Sequence, residues 1–258
     1  MPQYFINSSG IKDNKCVIEG DDYHHLARVR RIKKNDSIQL RDERGILINA
    51  RISNITPAAI ELEILDKVSN TQMPIDLNLC TCLIKGKKFD IVVQKAVEIG
   101  VNCLMPIISE RTIRIPEKNI ATKVNRWRRI AADAAKQCLR ENLPVVKDIH
   151  SFENLIDSDY PGLKLIAHPG GEDENSDFPG ESMRNYIMNN SRNAGEIDSV
   201  YLLTGPEGGF SDVELEKACK KGWLKFSFGF TQLRAETAAI AFSSIIIYEW
   251  MKIKGEVK

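Results

Sequence analysis

The chain has 258 residues and no apolar run long enough to cross a bilayer as a helix. Its first residues, Met-Pro-Gln-Tyr-Phe, lack the basic stretch and apolar core of a secretory leader, so none is expected. None of the six cysteines (Cys16, Cys80, Cys82, Cys103, Cys138 and Cys219) is spaced as Cys-x-x-Cys, and only His24-His25 comes close to the clustered ligands that a zinc site needs. No metal is therefore expected. A chain with cysteines but no disulfide framework suits a reducing cytoplasm. Cys80 and Cys82 alternate within an apolar run, so they share a face and read as small core residues. There is no internal repeat and no low-complexity tract. The glycine-rich segments lack both the Gly-Lys-Ser/Thr of a phosphate loop and the Gly-x-Gly-x-x-Gly fingerprint, which argues against a nucleoside triphosphate.

The chain also has little net charge, +1 in all, but the two signs are segregated. Residues 111–147 hold ten Lys/Arg against three acids, and residues 153–200 hold ten acids against three bases. A second basic run, Arg28-Val-Arg30-Arg31-Ile-Lys33-Lys34, has five positive charges and no acid. Two such runs favour a polyanionic partner, a nucleic acid, over solvated faces that happen to cluster.

Residues 1–72 read as a small β-rich domain. Short alternating runs at 37–42, 45–52 and 59–65 are bounded by turn residues. A short helix is predicted over Asp22 to Arg30, with His25, Leu26 and Val29 inward. Ser69 to Pro74 is the expected hinge. From residue 73 the pattern becomes strand, helix, strand: 76–84, then Phe89, Val92, Val93, Ala96 and Val97 at helical spacing up to Gly100, then 103–108. A long helix is expected from about Lys123 to Arg140, with Arg126, Arg129, Asp133, Lys136 and Arg140 along the stripe opposite its apolar side. Those arginines suit an RNA backbone, a solvated face or ion pairs between subunits. Further strands are expected at 164–168, 199–204 and 224–228, a polar loop at 170–180, and helices at 181–190, from the capping box Ser211-Asp-Val-Glu214 to about Gly222, and from Glu236 to Met251. The last helix is apolar on most sides, which requires burial in the monomer or against a second subunit.

The most informative pattern is a pair of glycine-bearing loops. Leu202-Leu203-Thr204-Gly205-Pro206-Glu207-Gly208-Gly209 leaves one apolar strand, and Phe228-Gly229-Phe230-Thr231-Gln232-Leu233-Arg234-Ala235-Glu236-Thr237-Ala238 leaves the next. Glycine lets backbone approach a ligand closely. Either segment alone reads equally as a turn, or as a helix-start ion pair and cap; together they are far more specific.

On these residues the chain resembles the RsmE-type ribosomal RNA methyltransferases of the SPOUT class, over nearly its full length. The landmarks are His24-His25-Leu-x-Arg28-Val-x-Arg31, Lys85-Gly86, Gln94-Lys95-Ala-x-Glu98-x-Gly100, Pro106, Ser109-Glu110-Arg111, Arg126-Trp127 through Gln137 and Arg140, and the two glycine loops. The family usually has Pro and Arg where this chain has Phe230 and Thr231, and Thr where it has Ala235. The resemblance implies an α/β SPOUT domain over 73–258, with a parallel sheet and a C-terminal trefoil knot, behind a PUA-like β-barrel. It implies S-adenosyl-L-methionine as cofactor and methylation of N3 of a uridine in 16S rRNA of the small subunit, by a cytoplasmic homodimer.

Carried onto this sequence, the cofactor pocket falls on Leu203, Thr204, Gly205, Glu207, Gly208, Gly209, Leu224, Phe228, Gly229, Leu233, Glu236, Thr237 and Ala238. Uracil N3 carries a proton at neutral pH, so the site must remove it or stabilise the resulting anion. Arg234 suits the electrostatic role, and Glu207 or Glu98 suits proton acceptance. Arg28, Arg30, Arg31, Lys85, Arg111, Arg126, Arg129 and Arg140 are the expected RNA contacts.

Overall fold

The computed structural model describes residues 4–42, 46–68, 75–112, 119–138, 140, 142–168, 197–226 and 231–253. The chain divides into two compact units, Met1–Gln72 with Ala132–Leu143, and Met73–Ala131 with Pro144–Lys258. The expected hinge at 69–74, the loop at 170–180 and the helix at 181–190 lie outside the described residues.

The first unit holds β1 (Tyr4–Phe5), β2 (Lys15–Glu19), β3 (Ser37–Arg41), β4 (Leu47–Ile55) and β5 (Ala59–Val68), in the sheet order β1-β3-β4-β5-β2. Of the described pairs in this sheet only β1–β3 is parallel. Ile38 and Leu40, Ile48, Ala50 and Ile52, and Ile60, Leu62 and Ile64 all point inward at every second position, which is how a half-buried strand encodes its face. Strand β2 follows the same rule with Cys16 and Ile18.

Between β2 and β3 the chain forms α1 (Gly20–His24) and then a π-turn, His25–Val29, in which Arg30 N–H donates to His25 O at 3.1 Å. This changes the predicted face. Leu26 is fully buried, but Val29 is 69% exposed, because a π-turn needs more residues per revolution than an α-turn and carries Val29 out of line. His25 is exposed too, although its Nδ1 meets Tyr4 Oη at 2.9 Å.

The second unit is a parallel sheet with helices. Its elements are β6 (Asp76–Cys82), α2 (Lys88–Ile99), β7 (Cys103–Ile108), α3 (Ile120–Gln137, grouped with the first unit from Ala132), β8 (Val145–Val146), β9 (His150–Ser151), α4 (Phe152–Asp157), β10 (Leu163–Ala167), β11 (Ser199–Thr204), α5 (Asp212–Lys220), β12 (Leu224–Phe226) and α6 (Ala235–Ile253). The strand order is β12-β10-β11-β6-β7-β8, with β9 also on β7, and every described pair is parallel. Six of the seven residues of β6 are buried, as expected of a strand covered on both faces.

Pro106 sits inside β7, where a missing N–H would break a ladder. Leu104 O accepts from Lys147 and Ile107 O accepts from Leu83, so by alternation Pro106 faces away from β6. On that side pairing lapses between Leu104–Val146 and Ile107–His150, and no donor is missed.

Helix α3 starts and ends three residues before its expected limits, so Arg140 lies beyond it and is buried rather than on an outer stripe. Helix α6 buries one side, with Ala239, Phe242, Ser243, Ile246, Ile247 and Trp250, and packs on α2, β6 and β11. Tyr248, on another side, is 47% exposed. The order of the strands reverses between β11 and β6. After β6 the chain moves to β7 on one side; after β11 it moves to β12 on the other. Ligand crevices of open α/β sheets form at the carboxyl ends of such a pair.

Candidate active site

A cavity of about 460 Å3 opens there, within the second unit. Three stretches line it. Ala167 and His168 end β10; Gly205, Pro206, Glu207, Gly209 and Phe210 follow β11; Thr231 to Glu236, with Ala238 and Phe242, lead into α6. Lys88, the first residue of α2, also lines it. The size lies in the range of pockets for small organic ligands.

The loop after β11 is tightly built. Thr204, fully buried, donates its Oγ1 proton to Thr81 Oγ1 at 2.9 Å, tying β11 to β6. Gly209 N–H donates to Pro206 O at 2.9 Å and closes the turn. A Cβ at Gly205 would meet the Phe210 ring at 3.1 Å, and one at Gly208 would meet Arg111 Cβ at 3.3 Å, so a side chain at either position would push its neighbour back by a few tenths of an ångström. The expected capping box starts α5: Glu214 N–H donates to Ser211 Oγ, and Ser211 N–H donates to Glu214 Oε2 at 2.9 Å.

Glu236 is a half-buried charged group of the cavity wall. Its Oε1 pairs with Lys88 Nζ at 2.9 Å, while its Oε2 is buried and takes no hydrogen bond. Burial pushes the carboxyl up. The Lys88 hydrogen bond, the residue's own backbone N–H and the charges of Lys88 and Arg234 outweigh it, so the net position is below the ordinary glutamate value. Glu236 is therefore an anion in the wall, with one oxygen open to a donor.

The predicted site residues separate clearly. Gly205, Glu207, Gly209, Leu233, Arg234, Glu236 and Ala238 line the cavity. Leu203 is buried in β11 and Thr204 is spent on Thr81, while Gly208, Leu224 and Thr237 lie outside the lining. Phe228 and Gly229 lie outside the described residues. Glu98 does not line the cavity; it is exposed on α2 and pairs with Lys95 at 2.7 Å. Glu207 does line it, and its Oε1 accepts from Lys85 N–H at 2.9 Å.

Among the expected RNA contacts, Arg28, Arg30, Arg31, Lys85 and Arg129 are exposed. Arg126 pairs with Asp90 at 2.5 Å, Arg111 donates to the β11 loop, and Arg140 is buried. Sequence reasoning did not place Lys88, His168, Gln232 or Phe242 in the wall. Lys88 and His168 each follow the carboxyl end of a strand, and that position was the available signal.

Comparison with known proteins agrees with this geometry. The family model for an RNA methyltransferase domain matches residues 71–247, and that for an RNA methyltransferase PUA domain matches residues 18–65. A ribosomal RNA small subunit methyltransferase E from Bacillus subtilis is 27% identical over 261 residues, covering 99% of this chain and 100% of the relative. One from Synechocystis is 31% identical, covering 83% of this chain and 67% of the relative. The crystal structure of a ribosomal RNA small subunit methyltransferase E from Neisseria gonorrhoeae, bound to S-adenosyl methionine, superimposes with a TM-score of 0.79 at 26% identity, over 98% of each chain. The chain belongs to the RNA methyltransferase family, among the relatives named ribosomal RNA small subunit methyltransferase E, with a PUA domain ahead of its parallel-sheet methyltransferase domain.

Proposed function

We propose that this protein transfers a methyl group from S-adenosylmethionine to N3 of a uridine in 16S rRNA of the small ribosomal subunit. The observation that carries the reading is the cavity at the β11–β6 reversal, with its glycine-lined loop and the unpaired buried oxygen of Glu236. The wall suits the cofactor. Pro206, Phe210, Leu233 and Phe242 offer apolar surface to an adenosine, and Glu236 Oε2 offers an acceptor to a hydroxyl or ammonium. When bound, the cofactor supplies a methyl group activated by a positively charged sulfur.

The remaining work falls to the protein. Arg234, at the wall and exposed, directs guanidinium N–H groups at the uracil carbonyl on which negative charge grows. Of the two candidate proton acceptors Glu207 lines the cavity and Glu98 does not, so Glu207 takes the N3 proton. The Lys85 N–H on its Oε1 orients that carboxylate.

The uracil must be unpaired or flipped out to present its N3. Arg28, Arg30 and Arg31 in the PUA unit, and Lys85 and Arg129 in the methyltransferase unit, hold the RNA backbone. Residues 1–72 form the RNA-binding domain and residues 73–258 the catalytic one. In this reading the segment from β11 to α6 forms a trefoil knot, and two copies associate in the cytoplasm through surface that includes the outer side of α6. The test is mass spectrometry of 16S rRNA from cells lacking the gene. One methylated uridine should be lost and should return when purified protein and S-adenosylmethionine are added; an unchanged uridine profile refutes the assignment.

A further inference from the structure

Arg111 follows the end of β7, the strand beyond β6, and faces the back of the β11 loop rather than the cavity. Its Nη1 donates to Gly208 O at 3.0 Å and to Phe210 O at 3.4 Å. Its aliphatic stem covers Gly208, where an added Cβ would lie 3.3 Å from Arg111 Cβ and 3.5 Å from Cδ.

The neighbouring residue continues the grip. Ser211 Oγ donates to Glu110 Oε2 at 2.7 Å, and Glu110 N–H donates to Glu214 Oε1 at 2.9 Å. On the other flank Lys85 N–H holds Glu207. The loop is thus fastened by the segments that follow both β6 and β7. Two carbonyls with one cationic donor between them form charge-assisted bonds, stronger than neutral ones. Both bonds come from one nitrogen, Nη1, whose two N–H groups the planar guanidinium holds in fixed directions; an ammonium rotates freely on its stem and is a less pre-organised donor.

We propose that Arg111 is a positioning residue for the cofactor, which sets the backbone of Gly208 to Phe210 before the ligand arrives, and is not an RNA-phosphate contact. This rests on the S-adenosylmethionine reading above. An unfastened loop has to be ordered at the moment of binding, and that cost is subtracted from affinity.

The experiment is calorimetry of S-adenosylmethionine on the full-length protein without RNA, for the wild type, Arg111→Ala and Arg111→Lys. Arg111→Ala should bind about tenfold more weakly, a difference of about 1.4 kcal/mol, with Arg111→Lys in between. In methyl transfer, KM for S-adenosylmethionine should rise with kcat at saturation within about threefold, because Arg111 meets no reacting atom. A lesion that merely lowered the folded fraction would reduce kcat instead. The salt dependence of RNA affinity should keep its slope, whereas loss of a phosphate contact would reduce it by about one.

A change in cofactor affinity of less than about threefold in Arg111→Ala overturns the proposal. If circular dichroism shows that variant unfolded, Arg111→Lys is judged instead, and cofactor affinity equal to that of the wild type overturns the proposal. No binding by the wild type would defeat the cofactor reading and the positioning role together; binding by the wild type with no change in the variant defeats the positioning role alone.

Discussion

Glu207 Oε1 accepts the main-chain N–H of Lys85 at 2.9 Å, between residues 122 positions apart in the chain. The bond bridges the carboxyl ends of β11 and β6 at the reversal of the sheet, and it places one carboxylate oxygen at a fixed point of the cavity wall.

That bond separates two roles of Glu207. Glu207→Gln retains an oxygen for Lys85 but takes no proton. Methyl transfer should therefore fall by about 10²–10⁴-fold while cofactor affinity holds. Single-turnover rates and calorimetry on the same preparation check this, and a rate near wild type would reduce Glu207 to a tether.

Arg234→Ala should cut methyl transfer by about 10²–10³-fold, the usual cost of removing one donor to a developing anion. Arg234 is exposed, so the melting curve should be unchanged. Undiminished activity would remove Arg234 from the mechanism.

Glu236 couples stability to pH. Its carboxyl sits below the ordinary value in the folded chain, so in the window beneath that value the unfolded chain binds more protons. The stabilisation is complete above the ordinary glutamate pKa and is lost as pH falls through the depressed folded one. Urea midpoints of the wild type and Glu236→Gln should accordingly differ at pH 7 and converge in acid. A constant gap across the titration would contradict the ion pair with Lys88.

The six thiols should react in order of exposure. Cys219 is exposed and Cys138 half-buried, whereas burial pushes Cys82 up to about 12 and Cys103 and Cys16 up to about 11. Cys80, fully buried, is likewise raised well above the ordinary thiol value, first by burial. Labelling of the native protein at pH 8 followed by peptide mapping should find Cys219 modified first, and early modification of Cys80 or Cys82 would show that the sheet opens.

In the first unit, Leu26→Ala should cost about 2–5 kcal/mol. Val29→Ala, only three residues on, should cost no more than about 0.5 kcal/mol. Chemical denaturation distinguishes them, and equal losses would mean that the turn is an ordinary α-helix in solution.

Val29 also shows where pattern reading stops. Periodicity assumes a fixed number of residues per turn, and the π-turn breaks it over five residues. Where backbone geometry is regular, the sequence was legible. β7 and β11 fell within their expected limits, β3 ended one residue short and β4 was shifted towards its C-terminus, while the Ser211–Glu214 capping box formed as its spacing required. Short elements such as β8, β9 and α4 carry too few residues for a period to show.

At the site, the glycine loops were visible because close approach restricts residue type locally. The partner of Glu236 was not. Lys88 lies 148 positions away, and only the sheet order brings the two together. The role of Arg111 was likewise hidden, since an arginine that grips carbonyls and one that grips phosphates read alike in sequence.

The cavity wall draws on residues between Lys88 and Phe242, which are scattered over more than half the chain. During synthesis the described strands of the sheet are complete by residue 226, yet the wall still lacks its Arg234 and Glu236 side. A chain cut between residues 226 and 234 should therefore keep the described strands and lose methyl transfer, since it lacks the Arg234 and Glu236 side of the wall.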